Sequence, residues 1–179
     1  ASRDRDPATL GQHKELRSMP IADEFLKELD YELPATRRAI ERVPSDKGPW
    51  KPHPRSSALG HLTQLHARMV GVMADMLEGK DLDLAAGPGY SFEKTETLLA
   101  EFDRNVKRLR ANLKKAKPTE WRRDWRVRAG DQIYDTSNRK DAMRSTINHL
   151  VHHRGQLTVY LRLNEVPVPS LYGPTADER

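Results

Sequence analysis

His149 and His153 stand four residues apart in the stretch Asn148-His149-Leu150-Val151-His152-His153-Arg154-Gly155-Gln156-Leu157. On a helix such a pair projects from one face a turn apart, so both imidazoles can reach a single cation at little backbone cost. Two ligands rarely hold a metal alone, and a third imidazole would have to come from His13, His53, His61, His66 or His152. Leu150 occupies the place where the zincin pattern H-E-x-x-H carries its general-base glutamate, which argues against metalloprotease chemistry. No acid near the pair in sequence offers itself as a base. Gln156 and Tyr160, one and two turns further on, are weak catalytic candidates for orienting water or substrate, with packing around the histidines as their plainer role. Arg154 could meet an anion, although a surface salt bridge is its simpler reading.

The elements that would carry these residues follow from apolar spacing and from helix breakers. Residues 1–20 are polar, contain Pro7 and Gly11, and read as an N-terminal arm; residues 21–179 read as a single domain. Phe25, Leu26, Leu29, Leu33 and Ile40 predict a first helix over about residues 21–42, which Pro34 should kink or split. Residues 43–55 form a connection whose Trp50 should plug one end of the core. Ser56 or Ser57 could cap a second helix reaching Leu77, with Gly79 as its stop. Ser91 is a plausible cap for a third helix over about residues 92–116, carrying Leu98, Leu99, Phe102, Val106, Leu109 and Leu113. Between Thr119 and Tyr134 the pattern shortens to an alternation expected to form a small hairpin or irregular insert. The final helix should start near Ser137 or Asn138 and run to about Asn164, before Pro167 and Pro169. Four long amphipathic helices predict an all-α protein, an antiparallel four-helix bundle.

Helical-wheel arithmetic sorts the histidines. With Leu150 at zero, Met143, Leu157 and Leu161 fall within roughly 20°, which makes them the core stripe of the last helix. His153 and His149 then lie at roughly −60° and −100°, on one shoulder of that stripe with Gln156 and Tyr160, while His152 points nearly the opposite way. On the second helix, with Leu62 at zero, Met69 and Met73 lie within about 20°, His66 near 40° and His61 near −100°. His66 is therefore the histidine embedded in an apolar stripe. A buried polar group must find a partner or lose hydration, and a metal shared with two imidazoles would be one. The wheel selects His66, His149 and His153 as a metal site between the second and last helices. It leaves open whether His61, His152 or a loop carboxylate joins them.

Composition narrows the class. The chain has 179 residues, 36% of them hydrophobic and 32% charged, a mix suited to amphipathic helices with broad solvated faces. No run of about 18 apolar residues and no signal-like segment occurs, so neither a membrane span nor export is expected. Cysteine is absent, which removes disulfides, thiolate ligands and a cysteine nucleophile, and makes a cytoplasmic address the default. The formal charge of +5 invites a nucleic-acid reading, but basic residues alternate with acids along the helices, so nucleic acid is not the expected partner.

The run Ser57-Ala58-Leu59-Gly60-His61-Leu62-Thr63-Gln64-Leu65-His66, the stretch from Asn148 to Arg162, and the later Val166-Pro167-Val168-Pro169 and Tyr172-Gly173-Pro174 together resemble the DinB superfamily, also called YfiT-like. The likeness runs from about Leu26 to Glu178 and includes Trp50-Lys51-Pro52-His53-Pro54. It implies a four-helix bundle in which one histidine of the second helix and the H-x-x-x-H pair of the last helix bind a divalent metal, usually nickel or zinc. Mapped onto this chain those positions are His66, His149 and His153. The resemblance further implies a metal-dependent enzyme of thiol-S-transferase or hydrolytic type acting on a low-molecular-weight thiol or another small molecule. The alternative is a non-catalytic metal-binding stress-response module acting through homodimerisation, with Trp121 or Trp125 either exposed as an interface or capping the core.

Overall fold

The structure is a computed structural model that describes residues 19–87, 89–90 and 94–179. The expected N-terminal arm lies outside these residues except for its last two positions, as do the Ser91 cap and the Phe92 start of the third helix. The described chain is mostly helical, with four long helices: α1 (Ile21–Glu41), α2 (Leu59–Leu77), α3 (Thr95–Lys115) and α4 (Arg139–Leu163). The all-α expectation is corrected by a small three-stranded sheet of β1 (Leu82–Asp83), β2 (Asp124–Ala129) and β3 (Gln132–Asn138), in the order β1-β2-β3. β1 runs parallel to β2, while β2 and β3 form an antiparallel hairpin that slips register between Val127 and Arg128. A two-residue strand has no periodicity of its own, so β1 leaves no mark in the sequence. The hairpin is where the alternation placed it, but β3 runs on to the residue that caps α4.

Local chemistry accounts for each helix end. α1 is continuous through Pro34, which neither ends nor divides it. The proline ring lies on the exposed side, and Asp30, the residue whose carbonyl loses its partner, is exposed as well, so water can take the place of the missing N–H. The N-cap of α2 is Ala58 and makes no side-chain bond, which corrects the assignment of Ser56 or Ser57. The preceding connection supplies the acceptors instead: Leu59 N–H donates to the Trp50 carbonyl at 2.8 Å and Gly60 N–H to the Gly48 carbonyl at 2.9 Å. These bonds satisfy orphan donors that a serine would otherwise serve. At the other end Gly79, with φ +88°, closes a Schellman turn through Gly79 N–H to Met76 O at 3.2 Å and Lys80 N–H to Asp75 O at 3.0 Å. α4 starts on Asn138, whose side chain accepts from Asp141 N–H at 3.0 Å.

α1 packs on α3 and α4, and α2 packs on the same two helices. Their buried faces form two apolar clusters. The larger gathers Phe25, Leu33, Ala67, Met73, Phe102 and Leu150 with other residues, and the smaller gathers Ala39, Val43, Leu59, Leu62, Leu157 and Leu161. Trp50 packs against the smaller cluster, at the end of the core where the sequence placed it. Trp121 and Trp125 are only 3% and 7% exposed. Trp121 stacks on Phe25 with centroids 5.3 Å apart, and Trp125 Nε1 donates to Lys80 O at 3.1 Å. Both tryptophans are thus core residues, which agrees with the core-capping alternative and rules out their exposure as an interface. No described helix is long and apolar enough to cross a membrane.

Candidate metal centre

Between the two apolar clusters each of three helices contributes a polar residue. Thr36 lies between Leu33 and Ala39 on α1, His66 between Leu62 and Ala67 on α2, and Arg154 between Leu150 and Leu157 on α4. His66 is fully buried. Its Nδ1 lies 2.7 Å from the carbonyl oxygen of Leu62, one turn earlier. A carbonyl only accepts, so Nδ1 carries the proton and Nε2 is left as a bare lone pair. That Nε2 is buried and has no hydrogen-bond partner. Burial holds the His66 pKa down to about 4, the bond to Leu62 opposes the shift, and the charges of His153, Arg154 and His149 push further in the same direction.

His149 and His153 turn their rings toward each other, with Nε2 atoms 2.7 Å apart and centroids 4.5 Å apart. The Nδ1 of His153 faces Gln156 Oε1 at 2.8 Å, and Gln156 Nε2 faces His152 Nε2 at 3.1 Å. One orientation of the Gln156 amide satisfies both contacts, accepting from His153 Nδ1–H and donating to His152 Nε2. This leaves His153 Nε2, like His66 Nε2, without a proton. The facing His149 Nε2 must then present either a proton or share a cation with it. Partial desolvation, followed by the charges of His153 and His152, lowers the His149 pKa and favours the neutral form that a ligand requires.

Three of the remaining expectations change. His149 is exposed and His153 half-buried, so the shoulder of α4 is more open than the wheel placed it. Gln156 is exposed and acts on the two histidines, while half-buried Tyr160 packs edge-on against Trp50 with centroids 5.5 Å apart. Arg154 makes a salt bridge, but a buried one. It is 1% exposed and donates to Glu32 Oε2 at 2.6 Å, to the Glu32 carbonyl at 3.0 Å and to Thr36 Oγ1 at 3.1 Å. Tyr172 from the C-terminal segment closes this network, accepting from Arg154 and donating to the Glu32 carboxylate at 2.9 Å. Sequence reasoning missed Glu32, and it met Tyr172 only within the Tyr172-Gly173-Pro174 run, with no role assigned. Glu32 adjoins Leu33 in the apolar stripe of α1, and that position was its one available signal.

His152 is exposed, as the wheel placed it, and His61 is half-buried. His61 stacks on Tyr90 at a centroid distance of 3.4 Å, and the Arg68 guanidinium lies over the same ring at 4.6 Å. Burial lowers the His61 pKa first, then the charges of Arg68, His153 and Lys51. Among the described residues no group of three or more His, Asp or Glu side chains is already gathered closely enough to form a metal cage. Two of the donors, taken singly, have the chemistry of a ligand. His66 Nε2 is an orphaned buried lone pair, and His66 and His153 each have Nδ1 tied to an oxygen acceptor, the arrangement that fixes the tautomer of a ligating histidine.

A family model described as the DinB family matches residues 22–179. No curated protein matches the chain by sequence. Among solved structures, the chain is similar to a DinB-like protein from Bacillus cereus ATCC 10987 at 17% identity and TM-score 0.67, covering 84% of this chain and 97% of that one. A DinB-like protein from Bacillus subtilis aligns at 18% identity and TM-score 0.59, covering 89% and 98%. The mycothiol-dependent maleylpyruvate isomerase aligns at 12% identity and TM-score 0.54, over 78% of this chain and 61% of that one. At these identities the likeness is one of fold.

Proposed function

We propose, from the premise that the chain belongs to the DinB family, that it is a divalent-metal-dependent enzyme of thiol-S-transferase or hydrolase type, with zinc or nickel held by His66, His149 and His153. The observation that carries this reading is the buried, partnerless Nε2 of His66, taken together with two α4 imidazoles whose Nε2 atoms lie 2.7 Å apart. The pairwise packing of α1 and α2 against α3 and α4 supports an antiparallel four-helix bundle as the frame. A cysteine-free chain fits a cytoplasmic address.

His66, His149 and His153 would hold the ion through neutral nitrogens, and the ion would supply Lewis acidity toward water or a thiol. The chain's own residues do the rest. Leu62 O and Gln156 Oε1 keep the Nδ1 protons of His66 and His153 in place, so that both Nε2 lone pairs stay available. Burial above all, with the charges of His153 and Arg154 after it, disfavours a proton on His66 and keeps that donor neutral. The exposed side of His149 leaves the centre open to solvent, as a catalytic rather than a sealed structural site requires. The fold shared with a mycothiol-dependent isomerase makes a low-molecular-weight thiol the first substrate class to test.

Zinc- or nickel-loaded protein mixed with an electrophile and glutathione-, bacillithiol- or mycothiol-like thiols should form conjugates visible by mass spectrometry, and His153→Ala should abolish them. Turnover that is indifferent to metal would contradict the reading. A second reading, a non-catalytic metal module acting as a homodimer, draws on Val159 and Leu163, which lie exposed one turn apart on α4. It predicts metal binding and a dimer by light scattering without turnover.

A further inference from the structure

On α3 the alternation of bases with acids fails. From Arg104 to Lys117 every charged residue is basic: Arg104, Lys107, Arg108, Arg110, Lys114, Lys115 and Lys117. Helical phase divides them. With Arg104 at zero and about 100° per residue, Lys107, Ala111, Lys114 and Lys115 fall between roughly −80° and +20°, and all five residues are exposed. Arg108 and Arg110 flank this sector at roughly +40° and −120°, and each is turned to a neighbouring helix. Arg108 Nε donates to Glu78 Oε1, at the end of α2, at 2.8 Å, and Arg110 pairs with Asp30 of α1. These acids stand at the edges of the sector, which itself holds only bases and Ala111. Lys114 and Lys115 sit in the last turn, where the helix dipole favours cations. Arg104 and Lys107 lie further back, outside the turn to which that effect is confined. Beside the end of α3, Lys115 and Lys117 line an open cleft of about 300 Å³ with Leu77, Asn112, Ala116 and Glu120. Glu120 accepts there from Arg139 at 2.6 Å, so its charge is met within the fold.

We propose that the outer face of α3 binds the phosphodiester backbone of duplex nucleic acid, with Arg104, Lys107, Lys114 and Lys115 as its phosphate contacts and the cleft beside Lys117 as the seat of one phosphate. No metal ligand lies on this face. Arg104 and Lys115 are roughly 16 Å apart along the helix axis, the length over which one strand of a duplex presents several phosphates at about 3.4 Å of axis each. Contacts to phosphate alone carry no base preference, so the binding is indifferent to sequence. An anionic bilayer fits the face less well. Helices that lie in a membrane interface bury a large apolar face, and Ala111 is the one apolar residue of this sector.

Fluorescence anisotropy of a labelled DNA duplex of arbitrary sequence, titrated with the full-length protein, tests the surface. Four phosphate contacts predict that log K falls with log salt at a slope between about −3 and −4, so binding should weaken about a hundredfold from about 50 mM to about 200 mM salt. Lys107→Gln combined with Lys114→Gln should reduce that slope by about 2 and weaken binding at low salt about tenfold or more. Both side chains are exposed, so the fold tolerates their replacement. Lys51→Gln combined with Arg55→Gln removes the same charge from exposed positions ahead of α2, and should leave the affinity within about twofold of the parent. No binding at low salt, or a slope and affinity unchanged in the α3 pair, overturns the surface. An equal loss in both pairs overturns it too, since net charge and not this face would then be responsible. Vesicles containing phosphatidylserine are the second probe. Binding to them through Lys107 and Lys114, with no binding to the duplex, would give the face to a membrane and overturn the nucleic-acid partner.

Discussion

A buried imidazole whose pKa is held near 4 changes how the metal-free protein responds to acid. The folded pKa lies below the ordinary value of 6.5, so between those two values the unfolded chain binds more protons than the folded one. The stability that neutral His66 contributes is complete above about pH 6.5 and is lost as pH falls towards 4, a loss of roughly 3 kcal/mol. Urea unfolding of metal-free protein at pH 7 and pH 4 should show this loss, and His66→Leu should shrink the difference between the two. The partner network tells a related story. Removing one member of the buried Arg154–Glu32 pair strands a charge, so Arg154→Met should cost about 3–5 kcal/mol by denaturant titration, and so should Glu32→Leu. Because the two act as one unit, the double variant should be more stable than the sum of the singles predicts. The histidines could be sorted from sequence because helical phase and burial coincide for His66 and His152. Helical phase sets Arg154 about 40° from Leu150, inside the stripe, but it could not name the partner that makes its burial tolerable, because Glu32 comes from α1, 122 residues away in the chain.

Capping chemistry separates the helices in a way that mutation can read. Gly79 holds φ +88° in the turn that ends α2, and Gly79→Ala should cost about 1–2 kcal/mol from backbone strain. Asn138→Ala should cost about 1 kcal/mol, because it removes the acceptor for Asp141 N–H at the start of α4. Ser56→Ala and Ser57→Ala should each fall within about 0.5 kcal/mol of the parent, since loop carbonyls and not serine hydroxyls serve the first turn of α2. The existence and extent of all four helices could be read from apolar spacing, because each buries a broad stripe. The α2 cap could not, since a backbone acceptor supplied by Gly48 or Trp50 carries no side-chain signature. The sheet was half visible: β2 and β3 alternate, but β1 is defined only by its pairing of Leu82 with Val127 and Asp83 with Arg128.

Across the whole molecule, two apolar clusters are separated by a layer that holds His66, Thr36, Glu32 and Arg154, locked from outside by the C-terminal segment through Tyr172. Tyr172→Phe should loosen that segment and cost about 1–3 kcal/mol, because the Glu32 carboxylate loses its hydroxyl donor while remaining buried. The polar groups of this layer are satisfied toward α1 and the tail, and His66 Nε2 is left without a partner. Fold and family were within reach of the sequence; the polar layer was not, because it joins residues from three helices and the tail. The most direct measurement is the metal content of untagged protein after equilibrium dialysis against zinc or nickel, by mass spectrometry of the elements. The account predicts about one ion per chain, falling toward zero in His149→Ala and in His153→Ala while the helical signal persists. Metal content that is zero in the parent protein, or unchanged in those variants, would contradict it.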